Sequence, residues 1–573
     1  MPRLLCALAI SFVISAVCGV SLAEKPLPQR WLYLQTNLLV DKNVDDALAL
    51  LDRAKKAGYT HLAVADSKFT RWDDLPPKYL ANCARVRQGC TQRGIFLAAC
   101  VCHMGYSEGE LGHDPNLAEG LPVKDALFVV RSGTLVPADP IQVANGDFEQ
   151  FKGDAPSGWS FVDQPGKISF VDTQTAQHGK ASLRMQDVGT HAPQHGHARA
   201  SQTLAVQPFH YYHVLVWVKT DNWQAGQTRI AVLGEGGVSL NYLEPPIAPT
   251  QDWKRIDVTF NSLEFSKVNL YLGTWGGKGG RIWWDNLQVE PAGLVNVLRR
   301  EGAPLKMTSQ DGRTVYIEGK DFEKIADPKL GTVPWRGGFS AWHEQPKVGI
   351  PAGSSLKEGQ TVKLSYFHTA IIHSDQVAAC MAEEKLYDIL KWELTRTRDG
   401  LRPDGYFLSH DEIRVAGWDE SCQRTGKTPG GILADNVGRC AKLARQVDPG
   451  KGLLTWSDMF DPFHNAAPKG RYYLVKGEGP WSGSWKGLPS DVTVMNWHNH
   501  KQGRRESMQH FAALGNKQVL AGYYDGPVAN IRDWLAEAKG IDGIIGVMYT
   551  TWRHDYSNLE AFNAEVDKAA AGR

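Results

Sequence analysis

Residues 405–412 read Gly-Tyr-Phe-Leu-Ser-His-Asp-Glu, an apolar strand that runs directly into a pair of acids. The same pattern recurs further along the chain, with short apolar strands ending in aromatic and acidic residues at 453–458, 492–500, 519–525 and 546–555. Helical periodicity separates these segments at 431–446, 504–514 and 529–539. Strands that alternate with helices indicate a parallel sheet, in which the strand ends that carry these aromatic and acidic residues all lie at one edge.

The beginning of the chain has the same rhythm. Strands are predicted at 31–39, 61–66 and 95–102, with helices at 44–58 and 79–93 between them. A further strand at 362–372 brings the number of α/β strands to nine, whereas a (β/α)₈ barrel has eight places. We assign 362–372 to an insert. The sequence therefore predicts an α/β fold, a (β/α)₈ barrel interrupted after its third strand by an inserted antiparallel β-sandwich (jelly roll).

The predicted insert has almost no helical periodicity between 141 and 290. Short apolar–polar alternations separated by Gly, Pro, Asn and Asp are typical of a β-sandwich. The motifs Asn145-Gly146-Asp147-Phe148-Glu149, Gly158-Trp159, Trp217-Val218-Lys219 and Trp284-Asp285-Asn286-Leu287 resemble those of jelly-roll carbohydrate-binding modules. The resemblance implies an oligo- or polysaccharide partner. In such modules acidic residues at the start and end often surround a structural calcium ion, so a calcium site is an open expectation here.

Tryptophan is abundant, with 19 residues in the chain. The sandwich residues Trp223, Trp253, Trp275 and Trp283 could stack on sugar rings or fill the core. For any single one of them the core is the expected place.

The order of segments along the chain gives the predicted domains, and the charge balance and apolar content indicate the expected partners and location of the protein. Residues 1–23 are predicted as a signal peptide, 24–138 and 361–573 as the two parts of the barrel, 139–293 as the carbohydrate-binding-like sandwich and 294–360 as a bridging β-rich segment. With 63 basic and 62 acidic side chains, the charge balance gives no attraction for nucleic acid. Because no second long apolar segment follows the signal, we expect no membrane span and an exported protein, periplasmic or extracellular.

Cysteine and histidine spacings do not predict a metal centre. The seven cysteines after the signal have no zinc-like spacing, and a Cys422–Cys440 disulfide is left open. His498 and His500 alternate at a strand end, but the sequence places no third ligand beside them. We therefore expect no metal at the barrel mouth and no cofactor for catalysis.

Four strand ends together carry a family resemblance. Asp411-Glu412, Trp456-Ser457-Asp458, Tyr523-Tyr524-Asp525 and Trp552 lie in the order and on the successive strands found in family 20 glycoside hydrolases, the β-N-acetylhexosaminidases. The resemblance is good from about 400 to 560. Ser409-His410 replaces two glycines of the family pattern, His554 replaces its last acid, and the first-strand arginine that grips the sugar is not visible.

The resemblance implies cleavage of a terminal β-linked N-acetylhexosamine by a substrate-assisted retaining mechanism. Glu412 would be the acid and base, Asp411 would hold the acetamido N–H, and Tyr523 would bind the acetamido carbonyl. The candidate substrate-binding residues are Trp456, Asp458, Trp497, Tyr524, Asp525, Trp552 and His410, the last as a pocket hydrogen-bonding group rather than a metal ligand. Two adjacent carboxyl groups also suit such chemistry, since crowding raises one pKa.

Two other readings stay open at the sequence level. One is a retaining glycosidase with a direct carboxylate nucleophile, in which Glu412 is the acid and Asp525 or Asp458 the nucleophile. The other is a non-catalytic glycan-binding protein on a degenerate barrel. The sequence does not give the sugar, the linkage or the mode of attack along a glycan chain.

Overall fold

The computed structural model describes residues 27–335, 337–373 and 376–571, so the predicted signal peptide at 1–23 lies outside the described residues. Eight parallel strands close into a barrel in their order along the chain. In that order, the first to eighth barrel strands are Gln29–Gln35, His61–Ala65, Phe96–Val101, Gly405–Leu408, Gly452–Trp456, Thr493–Asn496, Gln518–Tyr524 and Ile544–Thr550. The predicted interrupted barrel is confirmed: its third and fourth strands pair although residues 102–404 lie between them.

Helices pack around the outside of this barrel. They are Asp41–Lys56, Pro77–Arg93, Glu384–Leu401, Pro429–Val447, Arg504–Ala513, Asn530–Glu537 and Leu559–Ala571. The helix Pro429–Val447 begins where the Thr428 side chain accepts a hydrogen bond from the amide of Gly431, and its buried residues recur every three to four positions. After the fifth barrel strand the chain forms the long segment 457–492, with 3₁₀ turns at Asp458–Phe460 and Ser484–Gly487, where other strands are followed by a helix.

The barrel interior is filled by side chains. Trp31, Tyr33, Phe407, Trp456 and Met548 belong to one buried apolar cluster inside the barrel. Side chains of a strand alternate between its two faces, so the intervening residues pack outward against the helices. This alternation decides which residues at each strand end reach the barrel mouth.

The insert contains the predicted β-sandwich. One sheet has the strand order Gln251–Asn261, Tyr211–Gln224, Gly279–Pro291, Ser182–Gln186, Ser169–Asp172, and the other Gln227–Leu233, Lys267–Trp275, Ala198–Ala205, Phe161–Val162. Trp223, Trp283 and Trp284 are buried. Trp253 and Trp275 are partly exposed. Two of the four candidates from the sequence, Trp223 and Trp283, are therefore core residues, as expected for any single one of them.

A third sheet joins the sandwich to the barrel. Its strand order is Val315–Tyr316, Lys306–Ser309, Thr361–Thr369, Gly120–Arg131, Thr134–Pro137. The strand 361–369 pairs with 120–131 outside the barrel, which confirms that the predicted strand 362–372 belongs to the insert, whereas 120–131 lies in the segment 24–138 that the sequence had assigned to the barrel. The insert is therefore wider than the predicted boundaries at 138 and 361, because an alternating pattern identifies a strand without identifying its sheet.

Small elements complete the described structure. Two-stranded ladders join Val415–Ala416 to Leu474–Val475 and Phe151–Lys152 to Ala155–Pro156, and short helices lie at Glu108–Leu111, Val188–His191 and Glu420–Arg424. No helix of the described residues is both long and apolar enough to cross a membrane. The seven cysteines in this part of the chain are free and buried. Cys422 lies 3.7 Å from Cys380 rather than against Cys440, the partner considered from sequence.

A buried ion pair ties the insert to the barrel. Arg300, from the insert, lies 2.6 Å from Asp419 and 3.1 Å from Glu383, and its side chain is almost fully buried. The same guanidinium donates to the carbonyls of Asn116 and Ala118. Movement of the insert would separate Arg300 from Asp419 and Glu383 and leave these charges unpaired in a low dielectric, which is costly. The ion pairs therefore hold the insert in one position on the barrel.

We expect Arg300→Met to lower the free energy of unfolding by about 3 to 5 kcal/mol, since it leaves two carboxylates without their cation. Urea denaturation followed by circular dichroism measures the change. Arg424→Met is the matched control, because Arg424 pairs with Glu301 at an exposed position and should cost about 1 kcal/mol or less. Equal losses in the two variants would contradict the anchoring role of Arg300.

Candidate active site

A cavity of about 920 Å³ opens at the carboxyl ends of the barrel strands. Aromatic side chains from the first, fifth, sixth, seventh and eighth strands form its walls: Tyr33, Trp456, Trp497, Tyr524 and Trp552. Tyr33 meets Trp456 and Trp552 edge-on at ring-centroid distances of 5.6 and 5.3 Å. Flat apolar walls of this kind suit the faces of sugar rings. The structure thus brings the three predicted wall residues Trp456, Trp497 and Trp552 together.

Glu412 projects into the cavity with both carboxylate oxygens held. Tyr106 donates its phenol hydrogen to Oε2 at 2.6 Å, and Arg414 lies 2.9 Å from Oε1. Burial raises the pKa of Tyr106 well above its usual range, and the neighbouring Glu412 and Asp411 add to the effect while Arg414 opposes it, so the phenol stays a hydrogen donor. These contacts fix the direction in which Glu412 points.

The backbone at Glu412 is strained and held by its neighbours. Its φ is +48°, a left-handed conformation that side chains other than glycine adopt at a cost. Gln376 donates to the carbonyls of both Glu412 and Gly105. A Cβ on Gly105 would lie 1.9 Å from the carbonyl oxygen of Asp411, so only glycine permits this approach of the two loops.

Asp411 is the second carboxyl on the cavity wall. Burial raises its pKa well above the usual range, and the neighbouring Asp458 and Glu412 add to the effect. Among the described residues we find no hydrogen bond to its side chain, so its oxygens are available to a ligand in the cavity. The site therefore holds one carboxyl fixed by protein donors beside one that is not.

Asp458, predicted to bind substrate, lies beneath the cavity wall instead. Its carboxylate accepts hydrogen bonds from the amide of Glu412 at 2.9 Å, from Asn465 at 2.8 Å and from the indole of Trp497 at 3.1 Å. Burial raises its pKa to about 7, with these donors opposing the shift and the charge of Glu412 adding to it. Asp458 positions Glu412 and Trp497 and is not on the cavity wall.

His410 also points away from the cavity, which corrects its predicted role. Phe407 faces the barrel interior, so alternation sends Ser409 and Asp411 to the cavity side and His410 outward. There His410 is fully buried and its Nε2 lies 2.8 Å from the side-chain oxygen of Asn436.

A local irregularity corrects the predicted role of Tyr523. The register of the seventh strand against the eighth shifts between Leu520 and Tyr523, which adds one residue to the seventh strand. Tyr523 consequently points outward, where its ring stacks on Tyr549 at 4.1 Å and its hydroxyl accepts from Asn558. The next residue, Tyr524, takes the place on the cavity wall.

Asp525 connects the loop after the seventh strand to the loop after the eighth strand and does not line the cavity. Its carboxylate accepts from the hydroxyl of Thr551 at 2.5 Å and from the amide of Trp552 at 2.7 Å. The predicted contact of Asp525 with a sugar hydroxyl is thus replaced by a role in positioning Trp552.

Sequence reasoning missed the contribution of the insert to the cavity. Gln227, Tyr242 and Glu244 of the sandwich line it, and Gln227 donates to Glu244 at 2.6 Å. The guanidinium of Arg414 lies 5.7 Å from the ring of Tyr242 and 5.2 Å from that of Tyr473. The sandwich therefore reaches the residue that holds Glu412. The only related signal in the sequence was the spacing Glu412-x-Arg414. It weakly indicates that Arg414 can contact Glu412, and it does not involve the sandwich.

The expected calcium site in the sandwich stays a prediction. Glu149 and Asp285, at the start and end of the module, do converge on the loop 177–181. There Glu149 accepts from the amides of Lys180 and Ala181, and Asp285 accepts from those of Gln177 and His178. These amides already satisfy oxygens that a cation would need.

Comparison with known proteins identifies the sandwich by type. Residues 142–278 match the family model described as a carbohydrate binding domain. The inserted sandwich is thus a module of the carbohydrate-binding type. None of the curated protein sequences compared with the chain matches it.

Solved structures give more remote likenesses. A family 16 carbohydrate binding module is 17% identical over 26% of this chain and 98% of its own, with a TM-score of 0.19. The rhamnosidase from Novosphingobium sp. PP1Y is 10% identical over 96% of this chain and 59% of its own, with a TM-score of 0.37. The chitobiase of Flavobacterium johnsoniae is 17% identical over 36% of this chain and 33% of its own, with a TM-score of 0.24. Likenesses this remote do not tell which reaction the cavity performs.

The raised pKa of Asp458 leads to a prediction about stability. Between about pH 4 and 7 the carboxyl would ionise in the unfolded chain but keep its proton in the folded one, so the wild type loses stability as the pH rises through this range. Asp458→Asn has no such proton. Urea denaturation at pH 4.5 and 8 should therefore show the stability of the wild type falling relative to the variant. A difference that does not change with pH would contradict the prediction.

Proposed function

We propose that the chain is an exported glycoside hydrolase that removes terminal β-linked N-acetylhexosamine from glycans by a substrate-assisted retaining mechanism. The observation that carries this proposal is the adjacent pair Asp411 and Glu412 in an aromatic-walled cavity. One of the two is fixed by Tyr106 and Arg414, and the other has oxygens available to a ligand. The carbohydrate-binding type of the inserted module supports a glycan as the partner.

In the proposed reaction the acetamido oxygen of the substrate attacks its own anomeric carbon, and the bond to the leaving oxygen breaks. Glu412 gives its proton to that oxygen, and Asp411 accepts a hydrogen bond from the acetamido N–H, which stabilises the positive oxazolinium. Glu412 then takes a proton from water, whose oxygen opens the ring at the anomeric carbon. The aromatic walls hold the sugar face, and exclusion of water strengthens each charge interaction.

The electrostatics add a condition to this sequence of steps. The raised pKa of Asp411 favours its protonated form, and the neighbouring Glu412 contacts the guanidinium of Arg414. The reaction needs that proton on Glu412. A substrate N–H that donates to Asp411 favours its ionised form, so binding of the acetamido group would itself shift the proton between the neighbouring carboxyls.

The positions of Asp525 and Asp458 weigh against the alternative in which one of them is a direct nucleophile. Asp525 is engaged by Thr551 and Trp552, and Asp458 lies under the wall with three hydrogen-bond donors. Neither is placed to attack an anomeric carbon. The glycan-binding alternative without catalysis is an outcome of the activity test below.

We expect the protein without residues 1–23 to release 4-nitrophenol from β-N-acetylglucosaminide or β-N-acetylgalactosaminide and not from the parent sugars that lack the acetamido group. Glu412→Gln and Asp411→Asn should each lower kcat at least 100-fold, since they remove the acid and the partner of the acetamido group. A sugar-fused thiazoline, which mimics the oxazolinium, should inhibit competitively.

Tyr523→Phe is the matched control for this experiment, because its hydroxyl lies outside the cavity, and it should retain activity while Tyr524→Ala raises KM. Cleavage of the plain glycosides would move the assignment to a direct nucleophile. Absence of turnover together with retention on a glycan array would make the protein a glycan-binding protein without catalysis.

The position of the sandwich further suggests how the module serves the same site. Its loop residues Tyr242 and Glu244 lie on the cavity wall beside Arg414, the partner of the proposed acid. We therefore propose that the module contacts the glycan on the leaving-group side of Glu412, in addition to any binding on its own surface.

Tyr242→Ala should raise KM for an oligosaccharide at least fivefold and change KM for a 4-nitrophenyl glycoside much less, because the small leaving group does not reach the module. Initial rates on both substrates measure the effect. Trp253→Ala is the control, since this partly exposed sandwich residue is not on the cavity wall. A larger effect of Trp253→Ala on the oligosaccharide would place the binding face elsewhere on the sandwich.

A further inference from the structure

Three side chains behind the cavity wall bring potential ligand atoms together. One such atom from each of Asp461, His464 and His498 lies within 4.8 Å of the others. His498 Nδ1 and Asp461 Oδ2 face each other at 3.3 Å, and His464 Nδ1 is buried with no hydrogen-bond partner among the described residues. Asp461 is 0% and His498 1% exposed. Buried polar atoms are nearly always satisfied, so the unpartnered nitrogen of His464 beside this pair indicates a ligand shared by the three side chains.

The remaining atoms of two of these side chains are engaged, which leaves the facing atoms for an ion. His498 Nε2 donates to the carbonyl of Gln502 at 3.0 Å, so Nδ1 is the nitrogen that would bind an ion in place of its hydrogen. Asp461 uses Oδ1 to accept from the amide of Phe463, which leaves Oδ2 for a ligand.

The spacing fits a tetrahedral ion. His498 Nδ1 and Asp461 Oδ2 are 3.3 Å apart, and a tetrahedral zinc with ordinary bonds to nitrogen and oxygen sets these ligands about 3.3 Å from each other. Two imidazoles and one carboxylate suit Zn²⁺ among the common divalent ions, and they leave a fourth position for water. We propose that Asp461, His464 and His498 bind a zinc ion between the fifth- and sixth-strand loops.

The ion would position the cavity wall from behind. The ring of His464 packs edge-on against Trp497 at 4.6 Å, and the next residue, Asn465, donates to Asp458 at 2.8 Å. Zinc at this point ties the loop that carries Asp458 to the strand end that carries Trp497. The site is separate from the proposed hydrolysis, so zinc binding can be measured whatever the cavity cleaves.

The test uses the protein without residues 1–23, stripped with a chelator, dialysed against ZnCl₂ and passed through gel filtration. Metal analysis should find about one zinc per chain in the wild type and at least tenfold less in His464→Gln and His498→Gln. His510→Gln is the matched control and should keep its zinc, since His510 contacts the same loop through the carbonyl of Phe460 without facing the ion.

Thermal unfolding gives a second readout that does not depend on metal counting. Added ZnCl₂ should raise the Tm of the wild type and of His510→Gln and leave that of His464→Gln unchanged. Wild type that binds no more zinc than His464→Gln would overturn the proposal. So would zinc that survives both ligand substitutions and disappears in Cys380→Ser, because it would belong to the separate buried group of Glu119, Cys380, Asp419 and Cys422.

Discussion

The pairing of the third and fourth barrel strands is the constraint on which the rest of the structure depends. Cys100 and Val101 pair with Phe407 and Leu408 across the whole insert, and this pairing closes the barrel. Beyond the last pair the two segments that follow these strands continue side by side, and the amide of Met104 donates to the carbonyl of Ser409 at 3.0 Å. The contacts of Glu412 with Tyr106 and of Asp411 with Gly105 follow from this alignment. A shift of one residue there would separate the acid from its phenol donor.

The insert is part of the site because of where it leaves the barrel. It departs directly after the third strand and returns at the beginning of the helix Glu384–Leu401, which leads to the start of the parallel fourth strand, so both ends of the insert lie on the mouth side. Its third sheet and the buried contacts of Arg300 hold it against the fourth-strand loop, and the sandwich then presents Tyr242 to Arg414. A module that recognises carbohydrate on its own would need only a linker. Here the packing makes the module a wall of the cavity, and removal of the module would expose Arg414 and one side of the proposed acid.

The sequence predicted the eight barrel strands and the sandwich because both patterns repeat, and repetition survives local exceptions. It also placed Asp411, Glu412 and the tryptophan walls at one mouth, since the carboxyl ends of parallel strands share an edge. The sequence-based prediction failed where a single residue determines to which face of a strand the following side chains point. The extra residue before Tyr523 reverses the alternation of the seventh strand, and no residue type in that stretch signals it. His410 follows strict alternation and was misplaced because it was assigned to the pocket for its position beside Asp411, although neighbouring residues of a strand point to opposite faces. Asp458 was misplaced because burial beneath a wall is a tertiary property.

The electrostatics of the mouth explain why such a crowded group of acids suits the proposed chemistry. Burial raises the pKa of Asp411 and of Asp458, because a charge in a low dielectric is costly. The same low dielectric strengthens the attraction between an ionised carboxyl and a positive charge placed beside it. A carboxyl that resists ionisation therefore gains most when a positive charge develops beside it. The anomeric carbon carries positive charge as its bond to the leaving oxygen breaks, so the cost that keeps Asp411 protonated before binding becomes a preference for the transition state over the bound sugar. Arg414 contacts Glu412, whereas Asp411 has no ion pair among the described residues, so Asp411 is the carboxyl available to a developing positive charge.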